Sequence, residues 1–444
     1  MTTNVLSCTI KRETSFVFII KKANRFVKRE VKKTDRVILH CDMNNFYASV
    51  ERLFDSKLKE VPVAVCGRES DRHGIVLAKS EEAKKCGVKT GDTVWQAREK
   101  CPEIRIVEPH FERYVKYSRI AREMYSEYTD LVEPFGMDEC WLDVSASRLA
   151  FGDGFSIAEE LRQKMKKETG LTISVGLSFN KVFAKLGSDM KKPDALTVIP
   201  RETIANTVWP LPVGEMLGVG RRSAETLHRF GIHTLGDLAK ADDLFLKMKF
   251  GKAGERMKAW ARGEDDSPVL PCDCEAPMKS VGHGTTPPKD LSTPEEVWLL
   301  ILALMQDVGE KLRFHGKKAN GIAVECKDRN FTVRSMQKRL LSPTDCTMTL
   351  AREAFSLFQA KYFFREPIRS LSVRAIDLEK GGATQLSLFT EKEALRGETL
   401  DRVCDRLRGV YGKDIVKNAS ILSTYIPDEK GYIPFSAPAG AQKK

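Results

Sequence analysis

Short apolar runs alternate along the chain with stretches in which apolar residues recur every three or four positions, the pattern of strands feeding helices. Val37–Cys41 reads as a buried strand ending at Asp42, and "NNFYASVERLF" continues it as a helix capped by Asn44 or Asn45. Further strands are predicted over 61–67 and 75–78, followed by two short helices joined at Gly87–Gly91. A helix over 112–130 carries Tyr114, Tyr117, Ile120, Met124 and Tyr128 on one side. "DLVEPFGMDECWLDVS" reads as two strands around a tight turn at Pro134–Gly136. A helix over 157–168, a strand over 171–177 and a basic helix stopped by Pro193 complete a mixed α/β domain.

Residues 200–265 read as short helices punctuated by glycine. From position 280 the pattern becomes strand, helix, two strands, helix, strand, an independent β-α-β-β-α-β unit. Gly381–Gly382 marks a linker, and a polar, helix-bearing tail runs on to Lys444. The fold class expected is α+β and multidomain. At 444 residues the chain has room for two to four domains of about 100–200 residues each.

Charge changes this picture less than its total suggests. Of the net +12, +7 falls in the first 36 positions, where ten Lys/Arg meet three Asp/Glu, and only +5 remains for the other 408. A case for a nucleic-acid partner therefore rests on motifs and not on bulk charge. The apolar stretch Phe16–Ile20 is shorter than the roughly 7–15-residue core of a secretion signal. The longest apolar run, Trp298–Met305, is far below the ~20 residues that span a bilayer. A cytoplasmic protein without membrane contact is expected. Eleven cysteines lie at irregular spacing, and Cys272 and Cys274 have no second pair to complete a zinc site, so reduced thiols are expected.

The chemistry concentrates on three acids. Asp42 ends one strand, and the adjacent Asp138 and Glu139 occupy the turn between two others. If those strands are neighbours, three carboxylates converge at one sheet edge, as two divalent cations about 3.5–4 Å apart require. The alternative is an acidic pair that decorates an exposed hairpin. Trp141, Leu142 and Val144 favour the first by describing a strand that pins the pair.

"CDMNNFYASVE" followed by "MDECWLDVS" resembles the two catalytic motifs of the Y family, the translesion DNA polymerases. "SVGLSFNKVFAKLGSDMKKP" resembles its third palm motif and "LGVGRRSAETLHRFGIHTLGDLA" its thumb; the likeness covers roughly residues 36 to 425. It is nearest to the polymerase IV branch, except in the fingers. There Glu81–Glu82–Ala83–Lys84 stands where that branch has Tyr-x-x-Arg, and "AKSEEAK" is closer to the polymerase V catalytic subunit. Lys84 keeps the charge but not the guanidinium fork.

The resemblance implies a right-handed palm (36–48 and 110–199), fingers (49–109), thumb with a helix–hairpin–helix (200–275) and little finger (276–379). A linker and tail follow (380–444), and the basic extension 1–35 is left unassigned. It makes Asp42, Asp138 and Glu139 catalytic and, with the carbonyl of Met43, ligands of two Mg²⁺ ions. Tyr47 becomes a steric gate against ribose, and Phe46, Tyr47, Lys84 and Lys192 the nucleotide pocket. Asp143 takes a supporting or packing role. Lys181 and Lys185, four apart on one helix face, meet phosphate or solvent.

Gly218 and Gly220, with Arg221 after them, are expected to offer backbone N–H groups and charge to DNA phosphates. Alternation sends Arg334 and Lys338 to one face of the little finger, where a duplex backbone could lie. Gln385, Leu386, Leu388 and Phe389 resemble the bacterial sliding-clamp pentapeptide. The function implied is a monomeric, template-directed, low-fidelity DNA polymerase of translesion synthesis and repair, with primer–template DNA, dNTP and the sliding clamp as partners. A catalytically inactive DNA- and clamp-binding accessory protein is the second reading. A nucleotide cyclase, which has no use for thumb, little finger or clamp peptide, is the third.

Overall fold

All six residues of Ile38–Met43 (β1) are buried, His40 and Asp42 included. A strand buried on both faces belongs at the centre of a sheet. In this computed structural model, which describes residues 36–67, 74–274, 277–381, 392–412 and 415–421, β1 takes that position. After it come Phe46–Phe54 (α1), Val63–Cys66 (β2), Val76–Lys79 (β3), Glu81–Lys85 (α2), Val94–Lys100 (α3) and Arg105–Val107 (β4). Next are Phe111–Ser126 (α4), Val132–Pro134 (β5), Glu139–Asp143 (β6), Arg148–Phe151 (α5), Gly154–Thr169 (α6), Ile173–Ser178 (β7), Lys181–Met190 (α7) and Leu196–Ile199 (β8). The short helices Ile204–Thr207 (α8), Arg221–Arg229 (α9), Leu235–Lys240 (α10), Asp243–Phe250 (α11) and Lys252–Ala261 (α12) follow. Ser280–Thr285 (β9), Pro294–Phe314 (α13), Lys317–Asp328 (β10), Val333–Thr344 (β11), Thr347–Lys361 (α14), Ile368–Lys380 (β12) and Lys392–Tyr411 (α15) complete the order.

The chain divides into two compact units: Met1–Asn44 with Ile120–Cys272, and Asn45–Arg119 with Asp273–Lys444. In the first, five strands run in the order β5-β6-β1-β7-β8. β1 is antiparallel to both neighbours, with Asp42 opposite Glu139 on one side and Ser174 on the other. α7 lies unusually close to this sheet. A Cβ on Gly176 of β7 would fall 1.9 Å from the carbonyl oxygen of Ala184, so only glycine admits the helix at that distance. Asn180 caps α7, its side chain accepting from Phe183 N at 2.8 Å. Phe183 and Leu186 of α7 then join Val208, Val213, Leu227, Leu235, Leu238 and Leu246 in one apolar core, which seats α9 to α12.

In the second unit, a small sheet β3-β2-β4 forms with α1, α2 and α3 around Val76, Ala83, Val94 and Ala97. A separate antiparallel sheet, β11-β10-β12-β9, carries α13 and α14 and forms the expected β-α-β-β-α-β unit. Its core is Leu300, Ile301, Leu304 and Val308 against Ile322, Val324, Leu350, Phe358 and Val373. No helix among the described residues is long and apolar enough to cross a membrane.

Candidate active site

The hairpin that presents the acidic pair is fixed at several points. Phe135 N donates to Glu139 O at 2.8 Å, Arg122 Nη2 donates to Gly136 O at 3.2 Å, and Gly136 takes a positive φ of 97°. Met43 N donates to Asp138 O at 3.0 Å, which ties the end of β1 to the start of β6. Asp42 and Glu139 are register partners, so they stand directly across the two strands, with Asp138 one residue on. The acidic pair is thus part of the sheet and not an ornament on a free hairpin.

α7 and the turn after it cover these acids with two ammonium groups. Lys185 Nζ lies 3.2 Å from Asp42 Oδ2 and 2.8 Å from Glu139 Oε2, and Lys192 Nζ lies 2.7 Å from the same Asp42 oxygen. Asp189 bridges the two lysines, at 3.1 and 2.9 Å. Beneath them the fully buried His40 stands 3.2 Å from Glu139 Oε2, its other ring nitrogen 2.8 Å from Ser188 Oγ. Among the described residues no three acidic, His or Cys side chains are gathered as a ready metal cage, and the ammonium groups lie against the carboxylate oxygens.

The charges are nonetheless set for a cation. Burial, with Asp42 and Glu139 alongside, pushes the Asp138 carboxyl up from 3.8 to about 6. Burial opposes the charge on Glu139 too, but His40 and Lys185 outweigh it and hold that carboxyl below its usual range. Burial also works against the Lys185 charge, and Asp42 and Glu139 overcome it and raise its pKa. The half-buried Asp138 beside Asp42 and Glu139 is a hard-oxygen donor set that suits a divalent ion such as Mg²⁺.

In the second unit the aromatic pair is ordered by a buried acid. Tyr47 stacks on Tyr114 with ring centroids 4.1 Å apart and 9° between planes, and Phe111 meets it edge-on at 5.9 Å. Tyr114 Oη donates to Glu51 Oε1 at 2.6 Å, and Arg113 and His110 close on the same buried carboxylate at 2.7 and 3.1 Å. Phe46 is a core residue, 3% exposed, tilted against Tyr47 and Tyr114. Glu81 accepts from Asn45 Nδ2 at 3.1 Å and lies 3.7 Å from Lys84 Nζ, so its charge is met locally.

Other predicted residues fall in more varied places. Lys181 pairs with Glu133 at 2.6 Å and lies over the Trp141 ring. Asp143 takes bonds from Ser145 N and Oγ and serves the turn after β6. Gly218, at φ +85°, faces Trp260, and Gly220 precedes α9, whose start has no side-chain cap; Arg221 is exposed beside Glu225.

On the little finger, the strand register settles which face two predicted residues share. Arg334 and Lys338 do share a face, but it is the one covered by helices. Met336 between them is a core residue, and period-two alternation fixes its neighbours on its side. Arg334 stands over the Tyr362 ring, and Lys338 pairs with Glu353 of α14. Arg339 alternates to the opposite face, and Gln385, Leu386, Leu388 and Phe389 lie outside the described residues.

Sequence reasoning missed His40, Ser188, Asp189 and Glu51. His40 carried a usable signal: two residues before Asp42 on a strand, it must share that acid's face. The network of Glu51, joining positions about sixty apart, left none.

The comparisons with known proteins bear on the family and the fold. Residues 41–189 match the impB/mucB/samB family, and residues 278–388 match the C-terminal domain of that family. A solved Y-family DNA polymerase chimera shares the fold, with a TM-score of 0.69 at 23% identity over 78% of this chain and 100% of its own. The chain belongs to the Y family of DNA polymerases, as a DNA-directed enzyme of translesion synthesis built from palm, fingers, thumb and little finger.

Its curated relatives carry the name DNA polymerase IV. The protein of Acetivibrio thermocellus is 47% identical over 87% of this chain and 98% of its own length. That of Pelotomaculum thermopropionicum is 38% identical over 89% and 98%, and DNA polymerase IV 1 of Bacillus subtilis 37% over 89% and 95%.

Proposed function

We propose that Asp42, Asp138 and Glu139, with the carbonyl of Met43, hold two Mg²⁺ ions for transfer of a nucleotide from dNTP to a primer 3′-OH. The observation that carries this reading is the Asp42–Glu139 register with Asp138 beside it, three acids at one strand pair under two lysines. When bound, the ions lower the pKa of the attacking hydroxyl and stabilise the leaving pyrophosphate. The residues of the chain do the rest by position. His40, braced by Ser188, holds Glu139; Lys185 and Lys192 offset the negative charge of Asp42 and Glu139 before substrate arrives. Lys192 then gives up Asp42 and turns to the triphosphate, with Lys84 as a second cation. Phe46 and Tyr47 form the floor under the sugar, Tyr47 excluding ribose.

The domain limits proposed are those of the sequence reading: palm 36–48 and 110–199, fingers 49–109, thumb 200–275, little finger 276–379. The thumb meets the DNA backbone through Gly218, Gly220 and Arg221. On the little finger we assign backbone contact to Arg334 and Lys338 on the edge strand β11 and to Arg339, Lys327 and Arg374 on the outer sheet face. The protein acts as a cytoplasmic monomer. Primer extension with all four dNTPs on intact and abasic templates tests the reading. Extension is expected on both, with absolute dependence on added Mg²⁺; Mg²⁺-independent binding without extension on either template would favour the accessory-protein alternative.

Gln385–Phe389 is the proposed sliding-clamp tether. It joins two anchored elements: β12, after which Gly381 N donates to Gly316 O at 2.7 Å, and α15. A peptide held at both ends loses less chain entropy on binding than a free one. Leu388→Ala together with Phe389→Ala is expected to weaken binding to a bacterial sliding clamp by at least about 30-fold in fluorescence anisotropy, as hot-spot anchors do. Clamp-free primer extension should stay unchanged.

A further inference from the structure

Helix α15 is mounted with its polar face inward. Arg313, 7% exposed at its side chain, binds Asp405 at 2.5 and 3.1 Å and Asp401 at 3.2 Å. Lys318 Nζ binds Glu398 at 3.0 Å, and Thr347 N donates to Asp401 Oδ2 at 2.7 Å. A two-toothed guanidinium–carboxylate pair fixes the rotation of the helix about its axis. The opposite side is apolar and faces solvent: Leu400, Val403, Leu407, Val410 and Tyr411 are 63, 38, 38, 73 and 68% exposed. Their spacing of three and four residues makes one continuous stripe. Single exposed apolar residues are ordinary, but a whole stripe turned outward signals a missing cover.

The rim of the stripe says what the cover must be. Arg396, Arg402 and Arg406 are exposed around it, while Glu398, Asp401 and Asp405 are engaged by the body of the domain. A second copy would bring the same three arginines against these. The N-terminal stretch, ten Lys/Arg against three acids in its first 36 positions, repels as well. Residues 425–435, Tyr-Ile-Pro-Asp-Glu-Lys-Gly-Tyr-Ile-Pro-Phe, supply five large apolar side chains with Asp428, Glu429 and Lys430 between them, a net charge of −1.

The path also fits. Arg408 donates to Val416 O at 3.0 and 3.1 Å, so the chain doubles back beside α15, and Ile421 is buried in the core with α13. Four extended residues span about 13 Å at most, against roughly 16–19 Å half-way round a helix about 10–12 Å across, so the flank of α15 is within range of Tyr425 and the stripe within range of the residues after it. A tether this short raises the effective concentration to the millimolar range.

We propose that residues 425–435 bind the apolar stripe of α15 in cis, as a strap that covers the helix immediately following the Gln385–Phe389 peptide. The test compares hydrogen exchange of residues 396–412 in the full chain and in a chain ended after Thr424, each with its mass in solution measured by light scattering. The strap predicts exchange about tenfold faster in the shortened chain and a matching rise in dye binding to exposed apolar surface. Asp428→Lys with Glu429→Lys in the full chain should reproduce part of that gain. With Leu407→Ser and Val410→Ser in place, ending the chain should change nothing further. Equal exchange in the two monomeric chains overturns the proposal, whether the stripe stays bare or awaits another protein. Protection that appears only with a concentration-dependent dimer overturns it in favour of a second copy.

Discussion

Asp138→Asn should reduce primer extension by at least about 10³-fold while leaving primer–template affinity within about twofold. The change is isosteric, and the carbonyl that accepts from Met43 N belongs to the backbone, so the tie between β1 and β6 survives. What disappears is one anionic oxygen pair of the donor set, worth several kcal/mol of transition-state charge stabilisation, and each 1.36 kcal/mol is tenfold in rate. A stability readout separates this from damage to the fold. The folded carboxyl titrates near 6 and the unfolded one near 3.8. Between those values the folded chain holds a proton that the unfolded chain has lost, so stability falls as pH rises through that window and stays lower above it. Asparagine has no such deficit. The metal-free variant is therefore expected to be more stable than the parent at pH 7.5, by roughly 1–2 kcal/mol in urea unfolding. Millimolar Mg²⁺ should raise the midpoint of the parent more than that of the variant. A variant that is inactive and also less stable would mean that Asp138 serves the hairpin and not the cation.

The same residues show how far sequence alone reaches. The strand at 38–43, the paired acids at a turn and the β-α-β-β-α-β order were all legible, because burial on both faces and the two periodicities leave local marks. The strand pairing that puts Asp42 across from Glu139 was only a conditional expectation, since register is a long-range property. Lys185 was legible as a helical cation but not as the partner of two acids. That depends on α7 settling at Gly176, which a sequence shows only as one more glycine in a strand. Arg334 and Lys338 were legible in part. Alternation fixed that they share a face, and Met336 between them was the clue to which face. The outward apolar stripe of α15 inverts the same rule, since helices normally turn that side to the core.

Tyr47→Ala should raise the ratio of ribonucleotide to deoxynucleotide incorporation, compared as kcat/KM, by on the order of 10²-fold or more. A gate excludes a 2′-OH only if it cannot move aside, and here the ring has little freedom. It is stacked at 4.1 Å on Tyr114, whose hydroxyl is bonded to the buried Glu51, itself held by Arg113. Burial and that bond together raise the Tyr114 pKa, so the hydroxyl stays protonated and remains the donor across the working pH range. Tyr114→Phe keeps the stacked ring and removes the anchor. It leaves Glu51 one donor short but still paired with Arg113 and near His110. Its expected effect is smaller, a few-fold leak towards ribonucleotides with little change in kcat for dNTPs. Tyr47→Phe, which preserves the ring and the stack, should discriminate like the parent. If Tyr47→Ala left the ratio unchanged, the ring would be a packing residue of α1, and selection against ribose would have to come from another residue. A graded series, Phe near parent, Tyr114→Phe intermediate and Ala open, would show that the gate works through the rigidity imposed by Glu51 as well as through its own bulk.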